Sequence, residues 1–160
     1  MTEKEYNTSV DTHANALFRF IYKSLNVRED AENIVQDAFE SLWLNLGKVE
    51  FEKAKSWLFT TAYRKMIDSI RREKKMVEMP EFTKEKGSEA MQPDIKDIVN
   101  KAMEKLTETQ RTVIMLRDYE GYDYAEIGKI TGLNESQVKV YIFRGRQTLK
   151  NYLVKLDHII

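Results

Sequence analysis

Apolar residues recur at helical spacing through most of this chain. Ala14, Leu17, Ile21 and Leu25 form one stripe, and Ala31, Ile34, Val35, Ala38, Phe39, Leu42, Trp43 and Leu46 form a second. Intervals of three and four residues put such side chains on one helix face. The first stripe predicts a helix from Thr8 or Asp11 to Leu25. The second has Asn26 as N-cap, Glu29 as capping-box partner and Gly47 as its stop. Trp57, Leu58, Ala62, Ile67 and Ile70 mark a third helix, which ends in a basic run. Ile95, Ile98, Val99, Ala102, Met103 and Leu106 mark a fourth, and the stretch from Thr109 to about Tyr119 a fifth. No segment sustains period-two alternation between turn signals, so the expected class is all-α.

The pattern breaks between Lys74 and Asp94. Both prolines, Pro80 and Pro93, fall there with Gly87, Ser88 and many charges. Such a stretch reads as a linker. The expected organisation is a three-helix domain over 1–75, a linker over 76–93 and a four-helix domain over 94–160.

The last domain carries the most specific pattern. Asp123 is placed as an N-cap, with Glu126 three residues on to complete a capping box. Gly132 closes this helix, because glycine takes positive φ without steric cost, and Asn134 is placed as the next N-cap. Two short-spaced helices around a glycine turn form a helix-turn-helix. On the second of them Val138, Ile142 and Leu149 point inward, with Ile127 and Leu133 as partners. Ser136, Gln137, Lys139, Val140, Phe143 and Arg144 face out. A recognition helix enters the major groove by its N-terminal part, which makes Ser136, Gln137, Lys139, Val140 and Phe143 candidate base readers. Arg144, Arg146 and Lys150 suit phosphates. A plain helical hairpin with a solvated basic face is the competing reading. It gives no reason to display Val140 and Phe143 among cations.

Two other helix faces carry chemistry. Asp30, Glu32, Asn33, Gln36, Asp37 and Glu40 line the polar side of the second helix. They form either a solvated face or a docking surface for a basic protein, with the amides supplying directional hydrogen bonds. On the third helix Trp57, Phe59 and Tyr63 alternate with Lys53, Lys55, Thr60, Thr61, Arg64 and Lys65, and Arg71 and Arg72 come after them. Interleaved aromatic and basic residues suit a single strand whose bases have left the stack. Burial of Trp57 in the core is the alternative.

Composition narrows the class. The 160 residues carry 26 basic and 26 acidic side chains, so the chain is neutral overall while its charges are segregated. Cysteine is absent, which excludes a disulfide framework and a cysteine zinc site. His13 and His158 are isolated and no glycine-rich phosphate loop occurs, so neither an enzyme, a metal site nor a cofactor is expected. The start, Met-Thr-Glu-Lys-Glu-Tyr, lacks a signal pattern, and no apolar run approaches the roughly 18 residues of a membrane span. A cytoplasmic protein with no membrane insertion is expected.

The order of these pieces resembles a known family. Asp30-Ala-Glu-Asn-Ile-Val-Gln-Asp-Ala-Phe39, then Lys55-Ser-Trp-Leu-Phe-Thr-Thr-Ala62 leading to Ile67-Asp-Ser-Ile-Arg-Arg72, then Leu106-Thr-Glu-Thr-Gln-Arg111 and the helix-turn-helix are similar to an extracytoplasmic-function (ECF) sigma factor of bacterial RNA polymerase. The resemblance covers nearly the whole chain and implies modules called region 2 and region 4, without the extra domains of larger sigma factors. It implies that Asp30, Glu32, Asn33, Gln36 and Asp37 dock on the clamp helices of the polymerase largest subunit. It implies that Lys53, Lys55, Thr60, Thr61, Arg64, Lys65, Arg71 and Arg72 capture the melted −10 strand, with Asp68 on the same helix. Ser136, Gln137, Lys139, Val140, Phe143, Arg144 and Arg146 then contact the −35 element. An anti-sigma factor is a further implied partner.

The sequence departs from that family at informative places. Arg64 stands where Asn is frequent, Val140 and Tyr141 where Ser-Arg is common, and Gln137 where Thr is frequent. These changes bear on which promoter is read. A two-domain regulator binding an operator without polymerase is the main rival, and an inhibitor that covers another factor with its helices is a third class.

Overall fold

The computed structural model describes residues 1–76 and 95–159. Helix α1 (Glu3–Leu25) opens at Thr2, whose hydroxyl accepts from Glu5 N–H at 3.1 Å while the Glu5 carboxylate accepts from Thr2 N–H at 2.9 Å. That capping box lies ahead of the apolar stripe, so the helix begins earlier than the stripe alone predicts. Asn26 does not cap the second helix. It ends α1 in the left-handed region, with φ 58°, and donates its N–H to the Tyr22 carbonyl at 2.7 Å. The chain reverses within two residues here, and asparagine is among the few non-glycine residues that accept such a φ.

Helix α2 (Arg28–Leu44) therefore starts from Val27 without a side-chain cap and stops before Gly47. Trp43, expected on its apolar face, is 45% exposed and meets Tyr6 edge-on at 5.1 Å. A 3-10 turn (Phe51–Lys53) leads into α3 (Ala54–Met76). Leu17, Phe20 and Ile21 of α1 pack with Ala31, Ile34, Ala38 and Leu42 of α2 and Leu58, Phe59, Ala62 and Met66 of α3. Full burial of one of the leucine, isoleucine, phenylalanine or methionine side chains contributes about 1.5–3 kcal/mol.

The second half comprises α4 (Ile95–Glu104), α5 (Glu108–Ile114), α6 (Tyr124–Thr131) and α7 (Glu135–Ile159), with a π-helical turn (Met115–Tyr119) continuing α5. No strand occurs among the described residues. Thr107 and Gln110 form a full capping box at the start of α5. Arg111, next in that motif, donates to the carbonyls of Met103, Leu106 and Ser24 at 3.1, 3.3 and 3.3 Å. The Gln-Arg pair thus closes a helix start and clasps three backbone oxygens. Burial pushes the Arg111 guanidinium below its ordinary value, with Glu108 and Glu104 opposing.

The two halves share one apolar core. Phe20, Phe59 and Tyr122 form a chain of rings at 5.3 and 5.7 Å, running from α1 through α3 to the loop before α6. Arg19 pairs with Glu120 at 3.0 Å. The linker expected over 76–93 lies, beyond Met76, outside the described residues.

Candidate nucleic-acid and polymerase interfaces

The helix-turn-helix is built by tight backbone contacts. Asp123 caps α6 by accepting from Glu126 N–H at 2.8 Å. Glu126 does not complete the box; its carboxylate accepts from the Ser56 hydroxyl of α3 at 3.3 Å and faces Lys129 at 3.7 Å. Gly132, at φ 80°, ends α6 by donating to Gly128 O at 2.8 Å. Gly128 is required for a different reason, since a Cβ there would lie 2.7 Å from the Leu133 carbonyl oxygen. Asn134 and Gln137 then form a reciprocal box, Asn134 N–H to Gln137 Oε1 at 3.0 Å and Gln137 N–H to Asn134 Oδ1 at 2.8 Å.

Val138 and Ile142 anchor α7 in the core, together with Ile127 and Ile130. Ser136, Gln137, Lys139, Val140, Phe143 and Arg144 all lie on the exposed side, Phe143 at 68%. The Gln137 amide oxygen is engaged by the cap, which leaves its NH₂ for an outside partner. Arg146 is not a free cation, because Asp118 accepts from it through both carboxylate oxygens. That hydrogen bond holds the guanidinium above its ordinary value. Lys139 Nζ lies 5.5 Å from the Tyr124 ring centroid.

On α2, Glu32, Asn33, Gln36 and Asp37 are exposed and Asp30 is half-buried. Arg28 holds Glu32 at 3.0 Å. Asp30, Asn33 and Asp37 form one wall of a groove whose other wall is Lys65, Asp68, Ser69 and Arg72 of α3. The acidic face thus adjoins two of the cations expected to hold the −10 strand.

The remaining candidates for the strand divide. Lys53, Thr60, Thr61 and Arg64 line a second groove with Ser56 and Trp57, and its opposite wall is Tyr122, Glu126, Lys129 and Ile130 from the helix-turn-helix half. Trp57 is half-buried at this groove, between the two readings of it. Phe59 is a core residue, fully buried, so only part of the aromatic-basic pattern faces outward. Lys55 Nζ sits 5.0 Å from the Tyr122 ring centroid. Arg71 is exposed near Tyr63. Ser56, Tyr122 and Glu126 carry no separate sequence signal as groove residues, since they meet only when the two halves pack.

Among the described residues no acidic or histidine cluster could hold a metal, and no helix is long and apolar enough to cross a membrane.

Residues 10–76 match the family model for Sigma-70 region 2 and residues 96–149 that for Sigma-70 region 4. The chain is 28% identical over 144 residues to the ECF RNA polymerase sigma factor SigM of Bacillus subtilis, covering 86% of this chain and 88% of that one. It is 29% identical over 152 residues to the sigma factor SigV of the same organism, covering 94% and 92%. Its fold is similar to that of the sigma factor RpoE solved with the anti-sigma factor NepR from Bartonella quintana, at TM-score 0.78 and 24% identity over 94% of this chain and 97% of that one. With an exposed recognition helix in one half and an acidic helix face in the other, the chain belongs to the ECF sigma factors. It is a non-enzymatic initiation factor that binds core RNA polymerase and directs transcription from specific promoters.

Proposed function

We propose a division of labour within that activity. Residues 1–75 form region 2, 76–93 the linker and 94–160 region 4. The face of Asp30, Glu32, Asn33, Gln36 and Asp37 docks on the clamp helices of the polymerase largest subunit. Lys53, Thr60, Thr61 and Arg64 receive the melted −10 strand, with Lys55, Lys65, Arg71 and Arg72 along its backbone. Ser136, Gln137, Lys139, Val140, Phe143 and Arg144 read the −35 duplex, and Arg146 supports them from its pair with Asp118. The observation that carries this reading is the exposure of Val140 and Phe143 on a capped helix among cations, at 43% and 68%. An apolar pair there suits thymine methyl groups.

Strand capture needs an open groove. With α6 as its far wall, the groove is narrowed by region 4, and engagement by polymerase separates the halves before DNA melts. The unstacking costs a few kcal/mol, which contacts in the pocket offset. Joining two weak readers on one polymerase raises the effective concentration of each. The protein works in the cytoplasm, and an anti-sigma factor is the partner that keeps it from polymerase.

Run-off transcription from genomic fragments, with core polymerase and this protein, tests the reading. Discrete transcripts that need both components are expected. Protection of an operator by the protein alone, with no transcripts, would sink it.

A further inference from the structure

We propose that Tyr124 is a positioning residue for the −35 reader, holding the Lys139 ammonium in place through its ring. Tyr124 is the first residue of α6, just after the cap Asp123, and is half-buried where α6, α7 and the π-helical turn meet. Cations from two other elements gather on it. Arg117 Cζ lies 4.8 Å and Lys139 Nζ 5.5 Å from the ring centroid. The Arg146 guanidinium is within electrostatic reach of the phenol.

Each cation has a different degree of freedom. Arg117 is fixed by donating to the Tyr122 carbonyl at 3.0 Å, and Arg146 by Asp118. Lys139 has neither kind of anchor. Among the described residues no carboxylate pairs with it. A lysine on four methylenes samples many rotamers, so it reads one base edge only if something limits where its ammonium goes. The negative face of an aromatic ring does this without neutralising the charge, which stays available to an acceptor such as guanine O6 or N7. A carboxylate in the same place would compete with the DNA.

This inference rests on the reading of Lys139 as a base contact. Holoenzyme reconstituted with core RNA polymerase is bound to a promoter pool randomised across the −35 element, and the retained DNA is sequenced. The variants are Lys139→Ala, Tyr124→Phe, Tyr124→Leu and the double variant Tyr124→Leu/Lys139→Ala, with thermal melting as the check on folding. Tyr124→Gln serves if the leucine variant does not fold. Tyr124→Phe should keep the wild-type preference at every position. Tyr124→Leu should lower the preference by about threefold at the position that Lys139→Ala affects, and nowhere else. The double variant should match Lys139→Ala alone. Undiminished preference in Tyr124→Leu, or losses that add in the double variant, overturns the positioning role. If Lys139→Ala changes no position, the base contact itself is wrong, and the proposal falls with it.

Discussion

Ser56 of α3 donates its hydroxyl to Glu126 of α6 at 3.3 Å, so a side chain of the groove lined by Trp57 and Arg64 is hydrogen-bonded to the first helix of the helix-turn-helix. This contact gives the closed groove a direct test. The chain has no cysteine, so a pair placed by Ser56→Cys and Glu126→Cys can be bridged by a short thiol crosslinker with no side reaction. The bridged protein should lose binding to a single-stranded −10 oligonucleotide and should start no transcripts, while the unbridged double variant remains active. Gel shift and run-off transcription read the difference. Full activity of the bridged form would show that the groove need not open.

On the acidic helix, Asn33→Ala with Gln36→Ala removes two exposed amides. Polymerase binding should weaken by about tenfold, as expected for loss of hydrogen bonds worth about 0.5–1.5 kcal/mol each at an interface, with the melting temperature unchanged. Surface plasmon resonance on immobilised core polymerase measures the first and calorimetry the second.

Two glycines on the helix-turn-helix half should respond differently to alanine. At Gly128 the new Cβ meets a backbone oxygen at 2.7 Å, so the turn itself must shift. A loss of about 1–3 kcal/mol is expected in denaturant melts. At Gly145 the new Cβ runs into the end of the Ile114 side chain. Ile114 can change rotamer, and alanine regains about 1 kcal/mol of helix propensity, so Gly145→Ala should cost less than Gly128→Ala.

Alkali should loosen the joint between the halves. Burial, above all, pushes the Tyr122 phenol from 10.0 up to about 12, with Ser56 beside it opposing and Glu120 and Glu126 adding to the rise. The folded state therefore keeps a proton that the unfolded chain releases near pH 10. Stability from this group is complete below that pH and is lost as pH rises to about 12, a change of about 2 kcal/mol. Tyr122→Phe should flatten that part of the stability curve. A wild-type curve already flat between pH 10 and 12 would contradict the assignment.

Much of this architecture is legible in the sequence, for identifiable reasons. Spacing locates the helices because burial on one face imposes a period, and the Asp123 cap, Gly132 and Asn134 mark the helix-turn-helix because they act locally. The exposed set on α7 follows from the same period once Val138 and Ile142 are assigned inward. Asn26 is harder, since the same residue suits a helix start or a left-handed helix end, and only the short connection to α2 decides between them. Phe59 and Trp57 are two positions apart in one aromatic-basic run, yet one is core and the other lines a groove. Composition cannot separate them. The reach of Glu126 to Ser56, across 70 positions of sequence, depends on how two modules pack, and no local pattern encodes that.

The π-helical turn at Met115–Tyr119 fits one more residue into the helix than α geometry would, as the Glu120 N–H to Met115 carbonyl bond at 3.1 Å shows. One residue is worth about 100° of rotation in a helix. The wide turn absorbs that rotation, so deleting a single position there returns it to α geometry and should keep Glu120 and Tyr122 facing Arg19 and Phe59. The joint between the two modules should therefore tolerate the loss of one residue at this turn, which can release a position without turning the elements on either side of it.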